Sequence, residues 1–256
     1  NDKIRLLTSL YEWLNNGQLA VEPYPVSLRA INAMRLFSYE NKKDNAILAN
    51  VHAELDFLSK RPEYHLLGNH LLENAFALIM GGAFFSNKEW AKQGQSILEE
   101  QLEEQILSDG AHFELSPMYH QIIFFRLLEL IDWYAHWTLK VVAFEQFLKN
   151  KASLMLSWLK NISFENGDIP HFNDSAEGIA YSTNWLSNYA EQLAIVSKDI
   201  TLGYSGFRSI NKPNYECKVD FGQIGPSYQP GHAHADALSF ILYYKGGYRR
   251  AARRCR

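Results

Sequence analysis

The spacing of apolar residues changes once along this chain, near residue 200, and that change limits the folds open to it. Before the change, apolar side chains recur with the period of a helix face. After it, glycines separate short stretches in which apolar and polar residues alternate, as they do in strands. The sequence therefore predicts a mainly helical domain over residues 1–200 and the start of an antiparallel β-domain over residues 201–256.

Eight segments of the first part carry the helical period, and short turns join them. Paired antiparallel helices that close into a barrel or an arc would fit this pattern, and so would a long helical bundle. The predicted helices are Lys3–Asn15, Val26–Phe37, Asp44–Ser59, Leu66–Phe85, Glu89–Leu107, Pro117–Trp137, Lys140–Leu159 and Asn184–Ser197. The predicted strands are Gly203–Ser209, Glu216–Phe221 and Leu238–Tyr244.

Charge and cysteine content exclude several classes of protein. A formal net charge of -3 gives no global attraction for a polyanion, so an acidic substrate would need positive groups within a cleft. Two cysteines, Cys217 and Cys255, allow one disulfide at most. No apolar run reaches the roughly 18 residues that span a membrane, and no signal peptide is visible. Because Asn1 is not an initiator, we expect an internal fragment or a processed product.

The end of the chain, Arg249–Arg256, is strongly basic and does not continue a strand pattern. A basic tail can bind nucleic acid. No motif or aromatic context accompanies this run, so we favour a non-native tail or a truncation product and expect no nucleic-acid partner. The few strands that precede it would leave sheet edges uncovered, and we therefore expect the β-domain to be incomplete.

A first polar cluster interrupts the apolar fourth helix. Asn69 and Glu73 are four residues apart, as are His70 and Asn74, so all four side chains would lie close together on a helix. Burying such groups unpaired costs roughly 1–3 kcal/mol each. The cluster therefore indicates either a satisfied polar network between helices or a functional site.

A second cluster, Asp109–His120, is a loop that leads into a helix start. Catalytic groups concentrate in loops that rigid helices position. Ser116 is a candidate helix cap, and Tyr119 would lie in the first turn of the helix, where the N-terminus favours anions. We therefore expect a Tyr119 phenolate to be stabilised there relative to water, which would help the tyrosine to act as a base.

Two further stretches carry polar side chains. Along an extended Gly231–Asp236, His232, His234 and Asp236 would point to one face, an arrangement that suits a metal or a polar interface between domains. Gly167–Ser175 is a polar loop that is either a plain turn or the lining of a subsite.

Taken together, these stretches resemble the heparinase II/III-like polysaccharide lyases, which are also similar to the oligoalginate lyases. The stretches that carry the resemblance occur in the family's order and are Glu22–Arg29, Asn69–Asn74, Asp109–Tyr119, Phe172–Ser175 and Gly231–Ser239. The resemblance implies an incomplete α/α toroid followed by an antiparallel β-sandwich domain, of which this chain would contain the start. It also implies cleavage of uronic-acid-containing glycans by β-elimination, as a carbon–oxygen lyase.

The resemblance implies a role for each matched catalytic position. Asn69 and His70 match the residues that neutralise the uronate carboxylate, and Glu73 matches an acidic residue that supports this site in some members. Tyr119 matches the tyrosine that acts as base, acid or both. His232 matches a second catalytic histidine.

Substrate and metal positions are implied in the same way. The candidate substrate-binding residues are Glu73, His112, Glu114 and Asn173. His234 matches a histidine that binds a structural zinc. The remaining zinc ligands of the family lie further downstream, so the resemblance implies an incomplete zinc site in this chain. No organic cofactor is expected, the partner would be an acidic polysaccharide, and the family location is periplasmic or secreted.

Three other functions fit the same residues. A hydrolase on an α/α toroid would need two carboxylates, for which Glu73 with Glu114 or Asp174 are the candidates. A non-catalytic protein that binds glycans or assembles capsule or exopolysaccharide could keep the fold without turnover. A structural helical scaffold would keep Asn69, His70 and Tyr119 far apart.

Overall fold

A computed structural model of the chain describes residues 2–40, 43–137, 140–225, 231–235 and 238–245, together with the backbone of 250–253. The chain divides into two compact units, Asn1–Gln101 and Leu102–Arg256. Within the described residues there are eight α-helices followed by four β-strands. The predicted order of helices and then strands is confirmed.

Helices build the first unit. They are α1 (Asp2–Asn15), α2 (Pro23–Tyr39), α3 (Asn45–Lys60), α4 (Gly68–Phe84) and most of α5 (Lys88–Gln105). Asp44 caps α3, because its carboxylate accepts hydrogen bonds from the backbone N–H groups of Ala46 and Ile47. Helix α1 ends before Gly17, which adopts a φ of 69° that favours glycine.

Helix α4 is the inner helix of this unit, as its apolar sequence predicts. Nearly all of its side chains are buried, and it packs against α2 and α3. Close approach of the helices depends on small residues, since a Cβ at Gly81 would collide with the side chain of Leu55 on α3. A Cβ at Gly94 of α5 would likewise meet the backbone of Ala75.

The second unit combines three helices with one antiparallel sheet. The helices are α6 (Pro117–Ala135), α7 (Val142–Ile162) and α8 (Thr183–Gln192). The strands are β1 (Phe207–Asn211), β2 (Tyr215–Asp220), β3 (Phe240–Tyr244) and β4 (Arg250–Arg253), paired in the order β1-β2-β3-β4. Cys217 lies opposite Ile210 of β1 and Leu242 of β3, which fixes the register.

Aromatic packing joins the sheet to α7. The ring of Phe207 on β1 lies 5.8 Å from that of Trp158 and 5.3 Å from that of Phe172. On β2, the buried Lys218 Nζ donates to the carbonyl of Asn161 at 3.1 Å and to Ser209 Oγ at 2.6 Å. Burial lowers the pKa of Lys218 to about 8 because the charged form is desolvated.

The structure differs from the predictions at the end of α8 and in the basic run. Helix α8 stops at Gln192 instead of Ser197, because Leu193 caps it and Ala194 takes a positive φ of 56°. The basic run was expected not to form a strand, yet Arg250–Arg253 pairs with β3. That expectation was wrong because backbone pairing does not require an alternating side-chain pattern.

The predicted domain boundary near residue 200 marks where helices give way to strands. The two compact units meet elsewhere in the sequence, between Gln101 and Leu102, so that α6 to α8 belong to the same unit as the sheet. The boundary at residue 200 stays a prediction. No helix within the described residues is both long and apolar enough to cross a membrane.

Candidate active site

Tyr119 lies in the first turn of α6, and two residues set the start of that helix. Pro117 occupies a first-turn position, where its missing N–H leaves no hydrogen bond unmade. Ser116 Oγ accepts a hydrogen bond from the backbone N–H of Tyr119 at 3.2 Å and so caps the helix. The half-buried Tyr119 side chain is therefore positioned by a capped helix end.

His232 packs directly on Tyr119. The centroids of the two rings are 4.0 Å apart and their planes make an angle of 36°. His232 lies in the segment 231–235 that precedes β3, so the fold of the second unit brings together two residues far apart in sequence. Both residues were predicted to be catalytic, and they are the two predicted catalytic residues of this unit.

Asp174 holds His232 from the loop between α7 and α8. Its Oδ2 accepts a hydrogen bond from His232 Nδ1 at 2.9 Å. Its backbone N–H donates to the His232 carbonyl at 3.1 Å. The two hydrogen bonds fix both the backbone and the ring of the histidine.

Asn173 is engaged with two stretches of backbone. Its Oδ1 accepts from the N–H of His234 at 3.1 Å, and its Nδ2 donates to the carbonyl of Leu115 at 2.9 Å. Asn173 has a φ of 53°, a left-handed conformation that asparagine tolerates better than most residues. In this arrangement Asn173, predicted to bind substrate, joins the segment of His232 to the loop before α6.

The same loop is anchored on the start of α6. Ser116 Oγ donates to the carbonyl of Asp174 at 2.8 Å. Ser175 Oγ accepts from the N–H of Met118 at 3.3 Å. The cap of α6, the loop 173–175 and the segment of His232 therefore form one hydrogen-bonded frame around Tyr119.

The electrostatic environment opposes ionisation of Tyr119. Burial raises the pKa of Tyr119 above its ordinary value, and the carboxylates of Asp174 and Glu114 raise it further. The expected stabilisation of the phenolate by the helix N-terminus is therefore wrong in its net direction. Desolvation by burial and two nearby negative charges both disfavour the phenolate.

His112 lies beneath this frame and is fully enclosed. Its Nε2 lies 3.0 Å from the Oε1 of Gln105, and its backbone N–H donates to His120 Nδ1 at 3.2 Å. Burial, with smaller contributions from His120 and His232, lowers the pKa of His112 to about 3. The side chain of His112 is buried, and substrate binding by His112 stays a prediction.

Two neighbours of His112 are buried as well. His120 Nε2 donates to the carbonyl of Met155 at 3.0 Å, and burial lowers the pKa of His120 to about 3. Glu114, a predicted substrate-binding residue, is 4% exposed, and its Oε2 lies 3.8 Å from His112 Nδ1. Glu114, one of the two carboxylates that raise the pKa of Tyr119, is therefore a buried residue.

The first unit holds three further predicted site residues, Asn69, His70 and Glu73, which lie in the first turns of α4. His70 Nδ1 is 3.2 Å from Glu63 Oε1, and its ring lies 4.5 Å from that of Tyr24. A carboxylate only accepts hydrogen bonds, so His70 Nδ1 is the donor. His70 is thereby oriented by a carboxylate on the same ring nitrogen as His232.

Asn74 and Glu63 complete a buried polar network. Asn74 Nδ2 donates to Glu63 Oε2 at 3.0 Å and to Ser27 Oγ at 3.1 Å, while Asn74 Oδ1 accepts from the Glu63 N–H at 2.8 Å. Asn69 is buried, and its Oδ1 has no hydrogen-bond partner within the residues that the structure describes. Glu73 is 2% exposed on the same helix.

Two carboxylates escaped the sequence-based choice of site residues. Glu63 orients His70 from seven positions earlier in the chain, in a stretch that carries no recognisable motif. Asp174 was considered only as a hydrolase carboxylate, although it lies in a polar loop that could line a subsite. The assignments of Asn69, His70, Glu73, Tyr119 and His232 stay predictions.

A metal centre is not assembled from the described residues. No group of three or more His, Cys, Asp or Glu side chains among them could hold an ion. His234 is exposed and supplies one imidazole, whereas zinc in proteins takes three or four ligands. Cys217 is a free thiol, and Asp236 and Cys255 lie outside the described residues.

Known proteins with a similar sequence share one description. A 148-residue alignment, covering 55% of this chain and 21% of its relative, is 31% identical to a heparin-sulfate lyase of Bacteroides stercoris. A 224-residue alignment, covering 78% of this chain and 31% of its relative, is 29% identical to a heparin-sulfate lyase of Bacteroides thetaiotaomicron. The chain thus spans between about a fifth and a third of these relatives.

Solved structures agree on the fold. A heparan sulfate lyase from Pedobacter heparinus superposes with a TM-score of 0.65 at 21% identity, covering 96% of this chain and 44% of that chain. A heparinase III structure gives a TM-score of 0.69 at 21% identity, covering 96% and 45%. These likenesses confirm the predicted fold class, an incomplete α/α toroid followed by an antiparallel sheet.

Family models match nearly the whole sequence. The heparinase II/III N-terminus matches residues 34–204, and the heparinase II/III-like C-terminal region matches residues 196–248. The first match alone covers more than half of the chain, and the two occur in the order of the helices and the sheet. The chain therefore belongs to the heparinase II/III family.

Proposed function

We propose that this protein is a polysaccharide lyase that cleaves uronic-acid-containing glycans by β-elimination. The observation that carries the proposal is the contact of Tyr119 with His232 at a capped helix end, in a chain of this family. Both side chains can exchange protons, and β-elimination requires one proton to be removed and another to be delivered.

The difficult step is removal of the C5 proton of the uronate. An ionised carboxylate next to C5 opposes further negative charge, so donors aimed at that carboxylate stabilise the enolate-like transition state. Asn69, through its amide nitrogen, and His70, through Nε2 of its imidazolium form, would serve as these donors, as the family resemblance implies. Asn69 would donate from its amide nitrogen, while its buried amide oxygen, which has no partner among the described residues, can only accept a hydrogen bond from a donor on the ligand.

The environment of Tyr119 is compatible with a role as the acid. A tyrosine that keeps its proton at neutral pH is an acid, so Tyr119 would protonate the leaving oxygen as the C4–O bond breaks. His232 would accept the C5 proton, and the electrons of the C5–H bond would form the new double bond between C4 and C5. One imidazolium and one phenolate remain, and transfer of a proton between the touching rings restores both groups.

The relatives point to a class of substrate. They are named heparin-sulfate lyases, and we propose an acidic glycosaminoglycan as the substrate of this protein. Because the net charge is -3, the surface as a whole does not attract an acidic glycan. Local donors such as His70 would have to bind it.

A panel of polysaccharides tests the proposal. The protein would be incubated with heparan-type, alginate-type and capsule-type uronates, and a neutral glycan would serve as the control. We expect near-ultraviolet absorbance from the unsaturated uronate with at least one acidic glycan and none with the neutral one. Binding of uronates without any absorbance would indicate a non-catalytic glycan-binding protein instead.

Zinc and location belong to the proposal as well. We propose that His234 contributes to a structural zinc site, which metal analysis of the purified protein would test by finding about one zinc per chain. A zinc content that the His234→Ala variant does not reduce would contradict this. We also propose a periplasmic or secreted location, which fractionation of the source cells would test.

A further inference from the structure

We propose that Asp174 is the positioning residue that makes His232 a base, by fixing which ring nitrogen carries the proton. The inference rests on the proposed lyase function and adds a residue to it. Asp174 does not touch the rings' reacting faces in this scheme; it acts through His232. Its carboxylate contacts the Nδ1 side of the imidazole, 2.9 Å away.

The hydrogen bond determines the tautomer of His232. A carboxylate accepts hydrogen bonds and donates none, so the proton of the neutral imidazole must be on Nδ1. The lone pair is then on Nε2, the nitrogen at the far side of the ring from Asp174. In the opposite tautomer, Nδ1 would present a lone pair to a carboxylate oxygen, which is repulsive. Asp174 therefore presents Nε2 as the proton acceptor.

The backbone of Asp174 also links the segment of His232 to the helix start that carries Tyr119. The Asp174 carbonyl accepts from Ser116 Oγ at 2.8 Å, and Ser116 Oγ accepts in turn from the N–H of Tyr119. The Asp174 N–H donates to the His232 carbonyl at 3.1 Å. One loop residue thus bonds to the backbone of the proposed base and, through a single serine, to the backbone of the proposed acid.

A purely structural role for Asp174 makes different predictions. If the carboxylate only anchored the loop, an asparagine of the same size would keep an acceptor oxygen and most of the activity. If the carboxylate sets the tautomer, asparagine should fail, because its amide can donate to Nδ1 and stabilise the wrong tautomer. The comparison of Asp174→Asn with Asp174→Glu separates these cases, since glutamate keeps an acceptor-only group.

Kinetics on the panel's best substrate form the first part of the test. We expect Asp174→Asn to lower kcat at least about 100-fold with little change in KM, and Asp174→Glu to recover much of the loss. Asp168→Asn is the matched control in the same loop, where Asp168 accepts from Asn166 at 2.8 Å, and it should leave kcat unchanged. Equal activities of the Asn and Glu variants at position 174 would overturn the inference.

Nuclear magnetic resonance of the ring nitrogens forms the second part and needs no substrate. His232 would be assigned in nitrogen-15-labelled protein by the signals lost in His232→Gln. We expect a protonated Nδ1 and an unprotonated Nε2 in the neutral ring, and a shift toward protonated Nε2 in Asp174→Asn. A predominantly Nε2-protonated ring in the unsubstituted protein, or no change in the variant, would overturn the inference.

The two parts fail independently of each other. If no uronate gives an unsaturated product, the proposed function is wrong, while the spectra still decide whether Asp174 sets the tautomer. If the protein is an active lyase whose tautomer is indifferent to Asp174, only the positioning role is wrong. Circular dichroism and urea unfolding of each variant would confirm that its fold is intact.

Discussion

At Tyr119 two physical effects oppose each other. The N-terminus of α6 favours a phenolate, whereas burial and the carboxylates of Asp174 and Glu114 disfavour it. The net direction is a raised pKa, so the hydroxyl keeps its proton near neutral pH. This is why the proposed mechanism uses Tyr119 as the acid and leaves proton removal to His232.

Replacement of Tyr119 by phenylalanine tests that role. The variant keeps the ring that packs on His232 but lacks the proton for the leaving oxygen, so we expect kcat to fall roughly 100- to 10,000-fold. Release of unsaturated product would be followed by absorbance. Tyr204→Phe is the control, since Tyr204 is 74% exposed, and it should behave like the unsubstituted protein. Normal turnover by Tyr119→Phe would remove Tyr119 from the mechanism.

The pH dependence of kcat distinguishes acid from base at the same residue. An acid with a raised pKa stays protonated past the ordinary tyrosine value of about 10, so we expect no gain in kcat between about pH 8 and pH 10. A base with the same pKa would be mostly protonated there, and kcat would climb with pH throughout that range. A steady tenfold rise per pH unit would therefore identify Tyr119 as the base.

The buried His120 makes the folded state sensitive to acid. Its pKa is about 3 when folded, against about 6.5 for an unperturbed histidine. As pH falls, the unfolded chain therefore binds this proton at a higher pH than the folded protein does. The resulting stability is complete above about pH 6.5 and is lost as pH falls toward about 3.

Urea unfolding at several pH values measures this effect. We expect His120→Asn to reduce the slope of unfolding free energy against pH, between about pH 4 and pH 6, by about one proton, or roughly 1.4 kcal/mol per pH unit. Gln121→Asn, a neighbouring change in a residue that does not titrate, should leave the slope as it is. An unaltered slope in His120→Asn would show that His120 does not stay neutral in the folded protein.

On the scale of elements, the serine that caps α6 also makes a hydrogen bond to another loop of the chain. Ser116 Oγ accepts from the Tyr119 N–H and donates to the Asp174 carbonyl, which joins the helix to the loop 173–175. Ser182 caps α8 in the simpler way: its Oγ accepts a hydrogen bond from the Trp185 N–H. The two serines therefore differ in what their removal should disturb.

Alanine at each cap tests the difference. Loss of a cap costs about 1 kcal/mol, which we expect for Ser182→Ala. Ser116→Ala should cost about 1–3 kcal/mol more, because the Asp174 carbonyl also loses its donor. Urea unfolding gives the stabilities, and lyase assays should show a loss of kcat for Ser116→Ala only. Equal losses of stability and activity in both variants would contradict the proposed frame.

The elements also show what local sequence can and cannot predict. The eight helices among the described residues were predicted from apolar residues that recur with helical period, and Ser116-Pro117 marked the start of α6 to the residue. The end of α8 and the strand at Arg250–Arg253 were missed, because they depend on backbone conformation and pairing. Boundaries follow such interactions, which side-chain periodicity does not encode.

On the scale of the whole molecule, chemistry-bearing residues were easier to predict than their partners. Tyr119 and His232 were proposed from separate stretches, and the structure places their rings in contact. The carboxylates that orient the histidines were not chosen for that role. Asp174 lies 58 positions from His232, and Glu63 lies in a stretch without helical period, so only the fold reveals either pair.

The central claim is that this protein cleaves by elimination, and the masses of its products test it most directly. A defined uronate tetrasaccharide would be digested and both fragments of each cut weighed by mass spectrometry. Elimination consumes no water, so the two fragment masses should sum to that of the parent, with the fragment at the new non-reducing end absorbing in the near ultraviolet. A sum larger by one water, with no absorbing fragment, would identify a hydrolase and contradict the account.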